Sequence, residues 1–378
     1  PLPRSFFPLP LLLATLFLAA CASAPKVERL SPAAPPMDSA SDEAGLIMQM
    51  DRYEAELAHS PAVVRDPALN RYLKTLTCEV AGDYCPEIRV YLVRQPYFNA
   101  QMAPNGLLII WTGLLLRVED EAQLAAVIGH EVGHYVERHS LARWRKLKST
   151  SNLALALQVL GGGGLIGAAA SLGAYSGLFA FSREQEREAD NYGLMRLREL
   201  GYDDRRVGAL WADVWEEERM RDRELLSSIF ATHPASEERR NRLTEAAQGH
   251  SERRDSERYW AAIEPQRALW LEDEIGRRHY SQTQVLMARL RALPQASEES
   301  AYFMAEMYRR RGQAGDLERA RDTYQHAIAS GNAPAACWRG LGLVLRQLGE
   351  PDAARAAWRE YLKRAPDAED RVMIESWL

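Results

Sequence analysis

Apolar positions recur along the chain with several different spacings, and the spacings divide it. Behind Arg4, the run from Leu9 to Ala20 is apolar and uncharged, too short to span a bilayer with ordinary flanks and typical of a signal-peptide core. Between residues 42 and 81, Leu46, Ile47, Met50, Tyr53 and Leu57 return every three or four positions, which predicts helix with one buried face. Ile88, Val90 and Leu92 alternate with other residues between Pro86 and Pro96, the signature of a strand. The segment from Asn99 to Gly106 reads as hairpin-like, with Asn105-Gly106 suited to a tight turn, and leads into a short apolar strand over Leu107 to Trp111. Helical spacing resumes from Glu119 to about Lys148, opened by acidic residues that suit the positive end of a helix. Several more helices are expected over 184–248, and everything beyond 255 reads as helix. The fold class is therefore α+β and mostly helical: a small β-sheet inside a largely helical domain, followed by an all-α tail.

These shifts predict a signal peptide over 1–20, a flexible tether over 21–44, a folded domain over 45–250 and a helical tail over 255–378. The signal run ends in Leu18-Ala19-Ala20-Cys21, which resembles a bacterial lipobox and makes Cys21 the lipidated residue; an ordinary signal peptide cleaved near Ala20 or Ala22 is the competing reading. Ala22 and Ser23 lack the aspartate of an inner-membrane retention signal, which favours the outer membrane. Pro25, Pro32, Pro35 and Pro36 among Ala and Ser suit a tether rather than a core. An exported chain would let Cys78 and Cys85 bridge across Gly82 and Asp83, worth about 2.5 kcal/mol by chain entropy, against the alternative of two free buried thiols. Cys337 has no evident partner.

In the tail, Trp338, Leu341, Gly342, Leu345, Ala354, Trp358 and Pro366 follow the tetratricopeptide spacing, with Tyr361 departing from a small-residue position. A degenerate earlier copy runs through Ala305, Tyr308, Gly312, Ala320, Tyr324, Ala327 and Pro334. Residues 258–294 fit a further helical pair without that signature. Such hairpins either form a concave binding surface or simply cap the preceding domain. The composition, 26% charged and 47% hydrophobic over 378 residues, excludes general disorder. A net charge of −5 removes the electrostatic case for nucleic-acid binding.

The chemistry concentrates on His130-Glu131-Val132-Gly133-His134. Four-residue spacing stacks the two imidazoles on one helix face, where both can bind a tetrahedral zinc, and Glu131 can reach a water on the metal. Leu124, Val127 and Ile128 would bury this helix. Position 140 is Ser140, which removes a metzincin-type third histidine, and His139 is expected to pack or cap. The better third ligand lies in Ser182-Arg-Glu-Gln-Glu-Arg-Glu-Ala-Asp190. Glu186 and Asp190 share a face, so Glu186 can ligate while Asp190 accepts the far N–H of a ligating histidine; Glu184 and Glu188 fall outside as solvated charges.

Asn99-Ala100, Pro104, Gly106, His130-Glu-Val-Gly-His134, Glu186-Arg-Glu-Ala-Asp190 and Thr232-His233-Pro234 occur in the order found in one gluzincin family. The chain resembles that family, which holds the HtpX-like and Oma-type peptidases and the CAAX prenyl endopeptidases, and is most similar to its periplasmic BepA-like branch. The resemblance covers about residues 45–250 and, more loosely, the tail. It implies one Zn2+ per chain on His130, His134 and Glu186, Glu131 as base, and Asp190 behind the ligands. Gln101 and Asn105-Gly106 depart from the aromatic and Gly-Gly common in the family's hairpin, which touches substrate preference.

His233 precedes Pro234, so it sits in a turn or helix start, either donating to the oxyanion or filling the open zinc position. Arg239 is a weaker oxyanion or carboxylate-binding candidate. The uncharged stretch Ser149 to Ser182 is interrupted by Gly161 to Gly164; it is expected to form two short packed helices, with membrane contact as the alternative. The expected function is a zinc-dependent metalloendopeptidase, lipid-anchored in the periplasm, that cleaves misfolded or misassembled envelope proteins. An extended substrate would pair with an exposed strand at Asn99 to Ala103, so Asn99 and Ala100 are substrate-binding candidates. The rival is a chaperone or assembly scaffold for outer-membrane proteins, its tail docked on an assembly complex and its zinc site latent.

Overall fold

The computed structural model describes residues 27–32, 41–149, 179–220, 233 and 237–378. The signal run, Cys21, most of the stretch 149–182, and Thr232 and Pro234 lie outside the described residues. In chain order the described helices are α1 (Asp42–Ala58), α2 (Pro67–Ala81), α3 (Thr112–Leu115), α4 (Glu121–Val136), α5 (His139–Ser149), α6 (Arg183–Glu199), α7 (Arg205–Arg219) and α8 (Glu237–Ala246). The tail adds α9 (Ser256–Gly276), α10 (Tyr280–Arg291), α11 (Ser297–Arg311), α12 (Asp316–Ala329), α13 (Ala336–Gln347), α14 (Pro351–Arg364) and α15 (Arg371–Glu375). Strands β1 (Arg89–Val93), β2 (Ala100–Met102) and β3 (Leu107–Trp111) form one sheet in the order β1-β3-β2. The α+β, mostly helical class is as expected.

Two expected long helices are each divided. The stretch 42–81 breaks before Asp66, whose carboxylate accepts from the amides of Ala68 and Leu69 and restarts the chain with Pro67 in the first turn. The stretch 119–148 breaks at Arg138, which takes a left-handed conformation (φ 54°) between α4 and α5. Apolar periodicity continues across both breaks, so it cannot reveal them.

β3 is the centre of the sheet, parallel to β1 and antiparallel to β2, and it is buried on both faces. Leu108 and Ile110 enter a core with α2 and α4; Leu107, Ile109 and Trp111 enter a second with α1, α5, Phe179 and Phe181. The turn between β2 and β3 needs Gly106: its φ is +87°, and a Cβ would stand 2.1 Å from the Glu87 carbonyl oxygen. β2 is the edge strand by pairing, yet Ala100, Gln101 and Met102 are all buried. The exposed edge expected at 99–103 is therefore covered in this conformation.

α4 and α6 pack backbone against backbone. Gly129 faces Gly193 and Gly133 faces Ala189, so that a Cβ on Gly133 would lie 3.0 Å from both the Cα and the carbonyl oxygen of Ala189. Small residues four apart on both helices let the backbones approach. Asp120 caps α4 by accepting from the Gln123 amide, and Ser182 with Gln185 forms a capping box at the start of α6. At its other end α4 receives the Leu30 amide on the Val136 carbonyl (2.8 Å), and Tyr84 Oη donates to Leu30 (2.8 Å). Residues 27–32 thus lie against the domain despite their tether-like composition. Cys78 and Cys85 form a disulfide at the C-terminal end of α2.

The tail does not begin a separate core. Tyr259, Trp260, Ile263, Trp270, Leu271 and Ile275 of α9 join the cluster that contains α2 and α4, and the same cluster continues to Met307. Arg117, buried just past α3, donates to Glu217 of α7 (2.5 Å) and Glu274 of α9 (3.1 Å), and Glu274 also pairs with Arg277 (2.9 Å). The remaining cluster holds Ala305, Ala320, Tyr324, Trp338, Leu341, Leu345, Ala354 and Trp358, the positions marked by the repeat spacing, between hairpins α11/α12 and α13/α14.

Gly133→Ala should push Ala189 and its helix away. We expect a loss of about 1–3 kcal/mol, read as a lower thermal midpoint, because overpacking against a backbone has nowhere to relax.

Candidate metal centre

α4 and α6 cross so that His130, His134 and Glu186 project into one buried space, and His233 enters from the opposite side. All four are under 8% exposed. His130 Nε2 stands 3.0 Å from His134 Nε2 and 3.3 Å from His233 Nδ1. Glu186 brings Oε1 to 2.9 Å of His233 Nδ1 and 3.5 Å of His134 Nε2, and Oε2 to 3.5 Å of His130 Nε2. Donors about 2.0–2.1 Å from a tetrahedral zinc stand about 3.3 Å from one another. The separations here, 2.9–3.5 Å, lie close to that edge length, with one ligand atom from each of the four residues all within 4.8 Å of one another, and a set of three nitrogens and one carboxylate oxygen fits zinc chemically. The residues present fit a metal ion.

The electrostatics prepare the same site. Burial lowers the pKa of both His130 and His134, leaving neutral imidazoles with lone pairs to offer. Burial would raise the Glu186 carboxyl, but His233 and Arg239 outweigh it and hold the group well below the usual carboxylate range. For Glu131 burial dominates: its carboxyl is pushed up to about 7 against the pull of His233. Glu131 Oε1 lies 3.6 Å from His233 Nε2, so this carboxylate stands beside the position that His233 fills. Asp190 Oδ1 lies 2.9 Å from His130 Nδ1, as the helix spacing predicts for a residue holding the ligand's far nitrogen.

Arg239 engages carboxylates of the protein itself. From α8 it donates to Asp190 (2.6 and 3.0 Å) and forms an ion pair with Glu186 (2.9 Å), and its guanidinium lies 3.9 Å over the Trp211 ring. Its Nη2 also lies 3.2 and 3.4 Å from the two ring nitrogens of His130. Arg242 joins it on Asp190. His139 and Glu188 are corrected by the structure. His139 Nδ1 lies 2.8 Å from His134 Nδ1, and its Nε2 lies 2.9 Å from Glu188 Oε2. Neither is a bystander; the bend at Arg138 brings His139 back under His134, and no local spacing signals it. Glu184 is exposed as expected.

Sequence reasoning also missed Phe181, which stacks on His134 (ring centroids 3.9 Å apart, 19° between planes). An apolar recess lined by Phe98, Val127, Leu194, Val207, Leu210 and Trp211 opens beside His130 and Glu131. Asn99 is fully buried, and its side-chain amide finds no hydrogen-bond partner among the described residues.

The sequence profile of peptidase family M48 matches residues 64–247, the span that contains this entire centre. The metalloprotease LoiP of Escherichia coli strain K12 is 30% identical over 185 residues, covering 46% of this chain and 69% of LoiP. The chain belongs to peptidase family M48. Other M48 relatives cover less of themselves. The beta-barrel assembly-enhancing protease of Escherichia coli strain K12 is 28% identical over 211 residues (52% of this chain, 42% of the relative). The mitochondrial metalloendopeptidase OMA1 of Arabidopsis thaliana is 34% identical over 157 residues (42% and 31%). The chain thus spans less than half the length of these two relatives.

For this M48 chain, His134→Ala and Glu186→Ala should each empty the metal site, measured as metal per chain in the purified protein. Glu131→Gln, which removes no donor from the four, should retain full occupancy.

Proposed function

We propose that this chain is a zinc-dependent metalloendopeptidase of the bacterial cell envelope that cleaves misfolded or misassembled envelope proteins, and that it rests in a closed state. The observation that carries the reading is the convergence of His130, His134, Glu186 and His233, one donor atom from each within 4.8 Å of the others, beside a buried carboxylate, Glu131. Zinc held there would polarise a water and a peptide carbonyl. Glu131 would take the proton of that water as it attacks and pass it to the departing amide nitrogen. A carboxyl raised to about 7 is suited to both halves of that transfer near neutral pH. Asp190 would keep His130 in the tautomer that points its lone pair at the metal. The narrow recess beside His130, walled by Phe98 and Trp211 in edge-to-face contact, would have to widen to take an apolar side chain next to the scissile bond. Asn99 and Ala100, where β2 begins, would meet the extended substrate backbone.

Two observations support a closed resting state. His233 Nδ1 stands 3.3 Å from His130 Nε2 among the candidate donors, where it would take the position a reacting water needs, and β2 is buried. Activity then requires His233 to swing away, a population shift that substrate or a partner on the tail would drive. The hairpins α11/α12 and α13/α14, read as tetratricopeptide-like, are the surface for such a partner, an outer-membrane assembly complex; the name of the Escherichia coli relative, beta-barrel assembly-enhancing protease, agrees with this. Among the described residues no helix is long and apolar enough to cross a membrane, and a lipid on Cys21 would supply the attachment to the outer membrane.

Casein hydrolysis by the purified protein, beside Glu131→Gln, tests the reading. The variant should keep zinc and lose at least about 10²-fold in rate, the smaller end of what a general base contributes. Undiminished cleavage by Glu131→Gln would overturn it. His233→Ala should raise basal proteolysis with zinc still bound. A fall on the order of 10²-fold would instead identify His233 as an oxyanion donor. In cells, Cys21→Ser should move the protein from the membrane to the soluble periplasmic fraction; continued pelleting with membranes would refute the anchor.

A further inference from the structure

We propose that His139, itself held by Glu188, is a positioning residue for His134: it fixes which nitrogen of that imidazole faces the metal and how the ring is turned. The inference rests on the zinc reading of the site.

The two histidines meet Nδ1 to Nδ1 at 2.8 Å, both rings are buried, and His139 Nε2 continues to Glu188 Oε2 at 2.9 Å. Between two facing Nδ1 atoms there is room for one proton. His134 Nε2 points into the cluster, 3.0 Å from His130 Nε2 and 3.5 Å from Glu186 Oε1, so its lone pair belongs there and its proton must sit on Nδ1. His139 Nδ1 is then an acceptor, which puts the His139 proton on Nε2. A carboxylate oxygen is the acceptor that such a proton needs, and Glu188 presents one. With both imidazoles neutral, this is the only assignment that satisfies every contact: His134 donates to His139, and His139 donates to Glu188. Phe181, stacked on the other side of His134, leaves the ring little freedom to turn.

The backbone bears the cost of bringing His139 there. Arg138 is one of three non-glycine residues with positive φ among the described residues, and the left-handed region costs an L-residue about 1–2 kcal/mol. That bend ends α4 and starts α5 with His139 directly below the ligand. The two ligating histidines are consequently braced in different ways. His130 leans directly on a buried carboxylate, Asp190, whose charge is met by Arg239 and Arg242; His134 leans on a neutral imidazole, and the carboxylate behind it is half-exposed.

The test compares His139→Phe, which keeps the ring volume and removes the acceptor, with His139→Asn, whose Oδ1 can stand where Nδ1 stood. Zinc affinity of the full chain is read by competition with a chelator, and the thermal midpoint of the metal-free protein serves as the control for folding. The expected result is a 10–100-fold weaker zinc affinity for His139→Phe. His139→Asn should recover most of it, and the metal-free midpoints should not follow the affinities. Nitrogen-15 spectra of the zinc-loaded wild type should show His139 protonated on Nε2. Unchanged affinity in His139→Phe, equal losses in both variants that track their midpoints, or a His139 proton on Nδ1 would each overturn the inference. Wild-type protein that takes up no zinc would overturn the zinc reading itself, an outcome visible before any variant is made.

Discussion

The candidate centre depends on how closely α4 and α6 approach. Histidines four apart on one helix and a carboxylate on another can share a metal only if the two backbones nearly touch. Gly129 and Gly133 on α4, against Ala189 and Gly193 on α6, remove the side chains that would hold them apart. Glycine inside a helix costs about 1 kcal/mol relative to alanine, so two of them four positions apart in a buried helix make local sense only through this contact. The neighbouring histidine and glutamate positions then fall into one space without loop support. Elements that carry no ligand hold the crossing in place: Asp120 and Ser182 start the helices, and Leu30 closes the end of α4.

Bringing ligands together by helix packing buries charge, and the remainder of the centre answers that. Glu186 and Asp190 are carboxylates in an apolar interior, which is costly unless each is met by opposite charge and hydrogen bonds. Arg239 meets both, Arg242 adds to Asp190, and Trp211 covers the Arg239 guanidinium. Glu131 is the exception. It is buried with less compensation, and its raised pKa is the result. A carboxyl left in that condition is poorly used as structure and well suited to moving a proton.

The helical tail is joined to this arrangement rather than appended to it. α9 contributes Tyr259, Trp260 and Trp270 to the same core as α4, and the Arg117–Glu217–Glu274 network ties α7 to α9 in the interior. α7 also carries Trp211, which lines the recess beside the metal ligands. The tail is therefore packed against α7, which lines the site, and against α4, which carries His130 and His134.

Local chemistry alone determined much of this protein. The four-residue spacing of His130 and His134, and of Glu186 and Asp190, is a property of any helix, so the candidate ligands, candidate base and supporting carboxylate were legible before the fold was known. The Asn105-Gly106 turn was legible for the same reason: it acts within a few residues of itself. What only the tertiary structure decided lies where distant segments meet. Arg138 turns left-handed because the chain must reverse beneath His134, and no periodicity records the reversal. Glu188 looks like a surface charge from its own helix and becomes a partner only because α5 returns past it. Arg239 reads as an oxyanion or carboxylate binder, and only the packing of α8 shows that the carboxylates are the protein's own Asp190 and Glu186. The domain boundary near residue 250 fails as a boundary of the core because apolar periodicity states that a helix buries a face, not which neighbour covers it.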